Sequence, residues 1–387
     1  MAPPSNETDE PKDAALSDPN SSAGTLTSPS SSSITPGDSL PLPLPTLPFE
    51  IQVEILSRLP VKYLMQFQCV CKLWKSQISK PDFVKKHLRV SNTRHLFLLT
   101  FSKLSPELVI KSYPLSSVFT EMTPTFTQLE YPLNNRDESD SMVGSCHGIL
   151  CIQCNLSFPV LWNPSIRKFT KLPSFEFPQN KFINPTYAFG YDHSSDTYKV
   201  VAVFCTSNID NGVYQLKTLV NVHTMGTNCW RRIQTEFPFK IPFTGTGIFF
   251  SPAVIVSLDL ENESYRALLF PDFGEMNVEA LTLEVLMDCM CLLCHSGTFS
   301  DVWVMKEFGN ENSWARLFRV PYMEGVGSGP YTKAFYVYED DQVLLECQSK
   351  LVLYNSRDGT FKSLEIQSTD GWMVPQVYQQ SLISLCS

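Results

Sequence analysis

The chain has 387 residues, which is long enough for two or three domains with a substantial core. Hydrophobic residues make up 43% and aromatic residues 12% of the sequence, a composition that excludes a wholly disordered protein. The net charge is −9 and no basic, aromatic-rich stripe is present, which argues against nucleic-acid binding. No apolar stretch is long enough to predict a membrane span.

Residues 1–45 differ in composition from the rest of the chain. They are rich in Ser, Pro and Thr, contain no aromatic residue, and carry six acidic residues against one lysine. Such a segment cannot bury enough apolar surface to offset the entropy lost on ordering, so we expect a disordered leader. Because it has no apolar h-region, we do not expect it to act as a signal peptide. We therefore expect a cytoplasmic or nuclear protein with reduced thiols.

The segment from Leu47 to Leu88 has the strongest helical pattern of the chain. Two Leu-Pro pairs, Leu47-Pro48 and Leu59-Pro60, each precede apolar residues at steps of three and four, and proline suits a first helical turn. The pattern predicts three short helices, which are too small a unit to bury all their apolar side chains against one another. We expect the remaining apolar face to bind a partner. Three acidic against eight basic residues over 46–91 favour an acidic partner.

This segment resembles an F-box, and the resemblance covers about residues 46–89. It implies docking on a Skp1-type adaptor in a cullin-based ubiquitin ligase, with the rest of the chain presenting a target protein. We expect part of the pattern to form the adaptor-binding face, and Leu56, Phe67 and Val70 to serve the inner core. The predicted adaptor-binding residues are Leu47, Pro48, Ile51, Ile55, Leu59, Pro60, Leu64 and Trp74. The alternative is an ordinary three-helix subdomain packed on its own chain.

From about His95 the helical pattern gives way to short alternating runs typical of strands. Five segments share an apolar strand, a polar turn and a return strand that opens with a large ring. They are Val160–Pro173, Val220–Ile233, Val254–Pro271, Asp301–Pro321 and Leu351–Ile366, with Phe169, Trp230, Tyr265, Trp314 and Phe361 as the rings. Recurring hairpins of this kind predict propeller blades, although a two-sheet sandwich shows similar alternation.

These segments resemble the F-box-associated (type 1), kelch-like interaction domain of plant F-box proteins. The motifs include GSCHGILCI at Gly144–Ile152 and YAFGYDHSSDTYKVVAV at Tyr187–Val203. The resemblance implies an α+β chain with an F-box over 46–91 and an all-β, propeller-like, target-binding domain over 92–387. This sequence departs from the family pattern between Gly247 and Val254, where the family has a longer passage. It predicts a shortened blade strand or loop there.

The sequence offers no catalytic constellation, and we predict no catalytic residue, cofactor or metal. Cys151-x-x-Cys154 and Cys291-x-x-Cys294-His295 imitate metal or haem signatures, but their apolar settings favour structural cysteines in buried strands. Two other functions stay open. One is a protein- or glycan-binding propeller that works without a ligase, and the other is a propeller oxidase, whose copper ligands and reactive tyrosine we cannot assign.

Overall fold

The computed structural model describes residues 47–101, 108–131, 133, 140–154, 158–174, 185–210, 213–237, 254–323, 331–339, 342–348, 350–364, 366 and 373–385. The predicted leader over 1–45 and the departure from Gly247 to Ala253 lie outside these residues. Among the described residues, helices lie between Phe49 and Val90, and strands predominate from Arg94 onward. Within the described residues, no helix combines the length and the apolar character that crossing a bilayer requires.

The described part of the helical module contains four short helices, one more than the sequence pattern predicts. They are α1 (Phe49–Ser57), α2 (Val61–Phe67), α3 (Lys72–Ile78) and α4 (Pro81–Val90). The carbonyls of Pro48 and Pro60 accept the first hydrogen bonds of α1 and α2, so each proline lies one residue before its helix. The extra helix arises because Pro81 suits a first helical turn and begins α4 after a short break.

The inner faces of these helices form a small core. Its buried side chains are Leu56, Val61, Leu64, Ile78 and Phe83, joined by Leu382 from the far end of the chain. Lys86 Nζ lies 2.5 Å from Glu54 Oε2 and ties α4 to α1, while His87 Nε2 lies 2.9 Å from the Leu59 carbonyl oxygen. The first contact holds α1 against α4, and the second holds the α1–α2 connection against α4.

The second part of the chain consists of strands. In chain order they are β1 (Arg94–Phe101), β2 (Leu108–Pro114), β3 (Thr127–Leu129), β4 (Ser141–Cys146), β5 (Ile149–Cys154), β6 (Phe158–Asn163), β7 (Lys168–Lys171), β8 (Thr186–Asp192), β9 (Thr197–Asp210), β10 (Val213–Thr224), β11 (Arg231–Arg232), β12 (Val254–Asp259), β13 (Ser264–Leu269), β14 (Ala280–Leu286), β15 (Cys289–His295), β16 (Phe299–Met305), β17 (Trp314–Pro321), β18 (Lys333–Tyr338), β19 (Gln342–Cys347), β20 (Lys350–Asn355), β21 (Phe361–Ser363) and β22 (Met373–Gln379). A short helix, α5 (Leu115–Thr120), follows β2, and a 3-10 turn, Glu311–Ser313, precedes β17.

The described strands form a β-propeller. Five four-stranded antiparallel sheets have the orders β22-β1-β2-β3, β4 to β7, β8 to β11, β14 to β17 and β18 to β21, and β12 pairs with β13 in a two-stranded sheet. First strands of neighbouring sheets touch, as β22 touches β4, β4 touches β8 and β14 touches β18. The first strand of each sheet therefore faces the propeller axis, and the sheets are its blades.

The ring is closed by the first and the last strand of the described chain. β22 pairs with β1 in an antiparallel ladder in which Leu98 lies opposite Pro375 and Leu96 opposite Val377. The first blade thus takes its inner strand from the C-terminal part of the sequence. Closure of this kind leaves no free sheet edge between the first and the last blade.

All five predicted hairpins are present, and each predicted ring lies at or near the start of its return strand. Trp162 lies opposite Phe169, Leu258 opposite Tyr265, and the rings of Tyr354 and Phe361 are 4.8 Å apart. A ring at this position covers its neighbour across the strand pair, which stabilises the hairpin.

The two Cys-x-x-Cys motifs lie in strands β5 and β15, as predicted. Cysteines three positions apart in a strand point to opposite faces of the sheet. Cys151 packs in the core cluster that contains Tyr187, whereas Cys154 packs in the cluster that contains Tyr131. Burial raises the pKa of the Cys151 and Cys291 thiols, so both stay protonated at neutral pH. Side chains that point to opposite faces of a sheet, and thiols that stay protonated, are both consistent with cysteines that pack in the hydrophobic core.

A C-terminal segment, Gln380–Leu385, joins the helical module to the propeller. The buried amide of Asn163 in β6 donates to the carbonyl oxygens of Ser381 and Ile383 at 3.1 and 2.9 Å. Just before the segment, Gln379 Nε2 donates to the Leu88 carbonyl oxygen at 2.7 Å, and Leu382 enters the helical core. The module is therefore packed against the propeller and not carried on a free linker.

Candidate functional site

The helical module exposes an unusual share of large apolar side chains. Among the described residues, seven of the fifteen exposed large hydrophobic side chains lie between Leu47 and Leu73. They are Leu47, Phe49, Ile51, Ile55, Tyr63, Val70 and Leu73. Large apolar groups concentrated on a small module mark an interaction surface. We call these seven residues the apolar face.

The local structure of α1 explains how its part of the apolar face arises. Ile51 and Ile55 are one helical turn apart, so they share one side of the helix, and each is 48% exposed. Leu56 lies on the other side and is buried in the helical core. Glu54 is held by Lys86 and Arg58, whose hydrogen bonds keep the pKa of its carboxyl below the usual value. α1 is thus fixed in rotation with two isoleucines directed to solvent.

The structure distributes the eight predicted adaptor-binding residues over three environments. Leu47, Pro48, Ile51 and Ile55 are exposed, Leu59, Pro60 and Trp74 are partly buried, and Leu64 is buried. The Trp74 ring meets Phe67 edge to face with centroids 5.1 Å apart, so this tryptophan also supports the module from within. Whether an adaptor uses these residues stays a prediction.

Two placements in the sequence analysis were wrong. Leu64 has no exposed surface, because α2 begins at Val61 and places both side chains on its inner side. Val70 was expected in the inner core and is 65% exposed, because α2 ends at Phe67 and the helical period no longer applies. Leu56 is buried as expected, and Phe67 packs against the core from its margin.

Four members of the apolar face were missed by the sequence analysis: Phe49, Tyr63, Val70 and Leu73. Phe49 is adjacent to the first Leu-Pro pair and could have been found from its position at the start of α1. Leu73 lies between two lysines, Lys72 and Lys75, which is a signal for an outward-facing helix turn. Exposed lysines beside apolar groups suit a partner surface that is both apolar and acidic.

Comparison with known families agrees with this division of the chain. The F-box domain family matches residues 44–86, and the family described as F-box associated beta propeller domain matches residues 96–271. An F-box/kelch-repeat protein of Arabidopsis thaliana is 31% identical over 364 residues, covering 87% of this chain and 95% of that protein. The F-box protein CPR1 of Arabidopsis thaliana is 27% identical over 381 residues, covering 88% of this chain and 89% of that protein.

The relatives extend over both parts of the chain, the helical module and the propeller. The exposed apolar face lies in the segment that matches the F-box, and the strands from β2 to β13 lie in the segment that matches the propeller family. This chain belongs to the family of F-box proteins that carry an F-box-associated β-propeller domain.

Proposed function

We propose that this protein is the substrate receptor of a Skp1–cullin–F-box ubiquitin ligase. In this proposal the apolar face binds a Skp1-type adaptor, the adaptor connects to the cullin core, and the propeller holds a target protein. The apolar face within the F-box match carries the proposal, because large exposed apolar side chains concentrated on one small module are typical of a surface that a partner covers. We also propose that the propeller belongs to the kelch-like, type 1 subgroup.

The mechanism in this proposal is non-covalent. The protein would hold its target close to a ubiquitin-loaded enzyme, which raises the effective concentration of the reacting groups. A receptor of this kind needs a fixed separation between its two binding surfaces. Support for a fixed arrangement comes from the C-terminal segment, since Leu382 lies in the helical core while Asn163 holds the same segment to the second blade.

The target would bind at the end of the propeller that faces away from the helical module. Lys85 Nζ of α4 lies 2.5 Å from Asp196 Oδ2 in the β8–β9 turn, so the module lies at that end of the blades. Successive turns of an antiparallel sheet alternate between its two ends. The β15–β16 turn at Ser296–Thr298 therefore lies at the other end, and we propose that end as the target surface.

The experiment is co-purification of a Skp1-type adaptor and a cullin with the full chain and with an Ile51→Asp/Ile55→Asp variant. Both side chains are half exposed, so the variant should fold, while charges in an apolar interface should weaken adaptor binding at least tenfold. The matched control is Val285→Asp/Met287→Asp, which adds the same charges to exposed apolar positions of the propeller.

Adaptor recovery should fall with the α1 variant and stay unchanged with the control. Equal recovery with the wild-type chain and a folded α1 variant would contradict the proposed docking face. Recovery of a target without adaptor or cullin would favour a binding propeller that works outside a ligase.

A further inference from the structure

A groove of about 950 Å³ lies where α3 and α4 meet the propeller and the C-terminal segment. This volume is in the range typical of small-molecule sites, and such sites occur preferentially between domains. The groove is separate from the apolar face, because none of the seven residues of that face lines it.

The floor of the groove is apolar and comes from both parts of the chain. The helices contribute Ile78, Val84 and Leu88, and the propeller side contributes Ile166, Leu382 and Ile383. Ile78 and Leu382 are buried members of the helical core, so the floor is a fixed surface. An apolar body could lie on it and displace water without opening the structure.

One wall is a run of aromatic rings. The ring of His147 lies 4.9 Å from that of Tyr191, which lies 4.9 Å from that of His193. His147 Nδ1 is 3.2 Å from the Tyr198 hydroxyl, which fixes the imidazole in place. Burial lowers the pKa of His147, so this imidazole is neutral near pH 7. The rings meet edge to face, at interplanar angles of 63° and 86°, so the wall is a polarisable aromatic surface in which the His147 imidazole is uncharged.

The rim is cationic. Lys85, Arg89 and Lys168 line the groove, and the only carboxylate among its described lining residues is Asp196. Asp196 is already engaged by Lys85 and by the Tyr191 hydroxyl. Lys168 Nζ donates to a neutral acceptor, Ser384 Oγ, at 3.2 Å.

Two of these cations have no carboxylate partner among the residues that the structure describes. Within the described chain, neither Arg89 nor Lys168 forms an ion pair. The protein as a whole carries a net charge of −9, whereas the described lining of this groove has three Lys or Arg side chains and one carboxylate. Such a concavity concentrates anions.

We propose that this groove binds an amphipathic organic anion, a small molecule with a flat apolar body and one carboxylate, sulfonate or phosphate group. The body lies on the apolar floor against the aromatic wall, and the anionic group pairs with Arg89 and Lys168. The ligand touches the helical module and the propeller together, so its binding stabilises their packing and raises the melting temperature.

The test uses the full chain and two probes of similar shape. Anilinonaphthalene sulfonate is a flat aromatic anion whose fluorescence rises on binding, and phenylnaphthylamine is its neutral counterpart. Fluorescence titration should show one saturable site for the anion and weaker binding of the neutral probe. Equal affinity for the two probes would overturn the proposal, because it would show an apolar groove without anion selectivity.

Variants then place the site. Arg89→Glu/Lys168→Glu should weaken binding of the anion at least tenfold. The matched control is Arg232→Glu/Lys362→Glu, which reverses two exposed charges on β11 and β21 outside the groove and should change affinity less than twofold. Equal weakening by both variants would show a general charge effect, and no weakening by the groove variant would show binding elsewhere, such as on the apolar face.

A third variant, Ile166→Trp, fills the groove without altering charge and should also abolish the saturable site. Retained binding by a folded Ile166→Trp chain would overturn the placement of the ligand body. Circular dichroism of each variant shows whether it has folded. Adaptor co-purification is an independent measurement, so failure here leaves the proposed ligase role standing.

Discussion

Truncation of Leu382 tests how firmly the helical module is packed on the propeller. Leu382 is 7% exposed and lies among the core residues of the helices. Replacing a buried leucine by alanine costs about 2–5 kcal/mol, so we expect Leu382→Ala to lose about 3 kcal/mol of module packing. The remaining ties are weaker. The Lys85–Asp196 pair is exposed, and solvent screening leaves such a surface pair with little net contribution to stability.

The loss of packing free energy should be confined to the helical module. Leu382 belongs to the helical core, whereas the β22–β1 ladder that closes the ring ends before it, at Gln379. A loss of about 3 kcal/mol corresponds to roughly a hundredfold increase in the open population of the module. Hydrogen exchange should therefore accelerate by about that factor in α1 to α4 and remain nearly unchanged in β4 to β6.

The assay is native-state hydrogen exchange followed by mass spectrometry, with limited proteolysis as a second measurement. Leu317→Ala in β17 is the matched control, because the same truncation at a 43% exposed position should change exchange little. Unchanged exchange in the helices, or equal acceleration in helices and propeller, would refute the reasoning.

Two further predictions concern the same region and its pH dependence. Gly148 has φ +81°, and an added Cβ would lie 2.4 Å from the Gln379 carbonyl oxygen and 2.5 Å from Ser381 Oγ. Gly148→Ala should lower the free energy of unfolding in urea by about 2 kcal/mol or more, whereas Gly226→Ala, with φ +90° and open space, should cost only about 1 kcal/mol. Burial lowers the pKa of His95 from 6.5 to about 4, so the unfolded chain takes up the proton first and stability falls as pH drops from about 6.5 to 4. His95→Gln should remove up to about 3 kcal/mol of this pH dependence from the free energy of unfolding measured in urea. An unchanged slope of stability against pH would contradict the role given to His95.

Much of the fold could be predicted because its signals are local. The hairpin over Val254–Pro271 needs only two alternating runs and a polar turn, and the structure pairs Leu258 with Tyr265 there. The start of α2 follows from Pro60 in the same way. Helix and strand periods report which residues share a face, and both patterns were strong in this chain.

What could not be predicted depends on contacts between distant residues. Nothing in the pattern around Leu98 indicates that Pro375 lies opposite it, because periodicity carries no information on distant pairing. The position of Leu382 in the helical core is a contact of the same type. Leu64 was misplaced for a related reason, since the period of a helix does not tell which of its faces meets the core.

The division into a module and a propeller leads to a last prediction, for a fragment that begins at Ser91. The ring closure between β1 and β22 lies wholly inside this fragment, and among the described residues six of the seven hydrophobic clusters contain no residue from α1 to α4. The fragment should therefore fold, with a lower melting temperature than the full chain, because Leu382 loses its buried surroundings.

Such a fragment lacks the apolar face, so it should capture the target without recruiting adaptor or cullin. In cells it would compete with the full chain and raise the level of the target, because bound target would be shielded from ubiquitin transfer. The measurements are target half-life and adaptor co-purification, with the full-length Ile51→Asp/Ile55→Asp variant as the control that keeps the module. Adaptor recruitment by the fragment would place the docking site in the propeller, and faster loss of the target would contradict the receptor role.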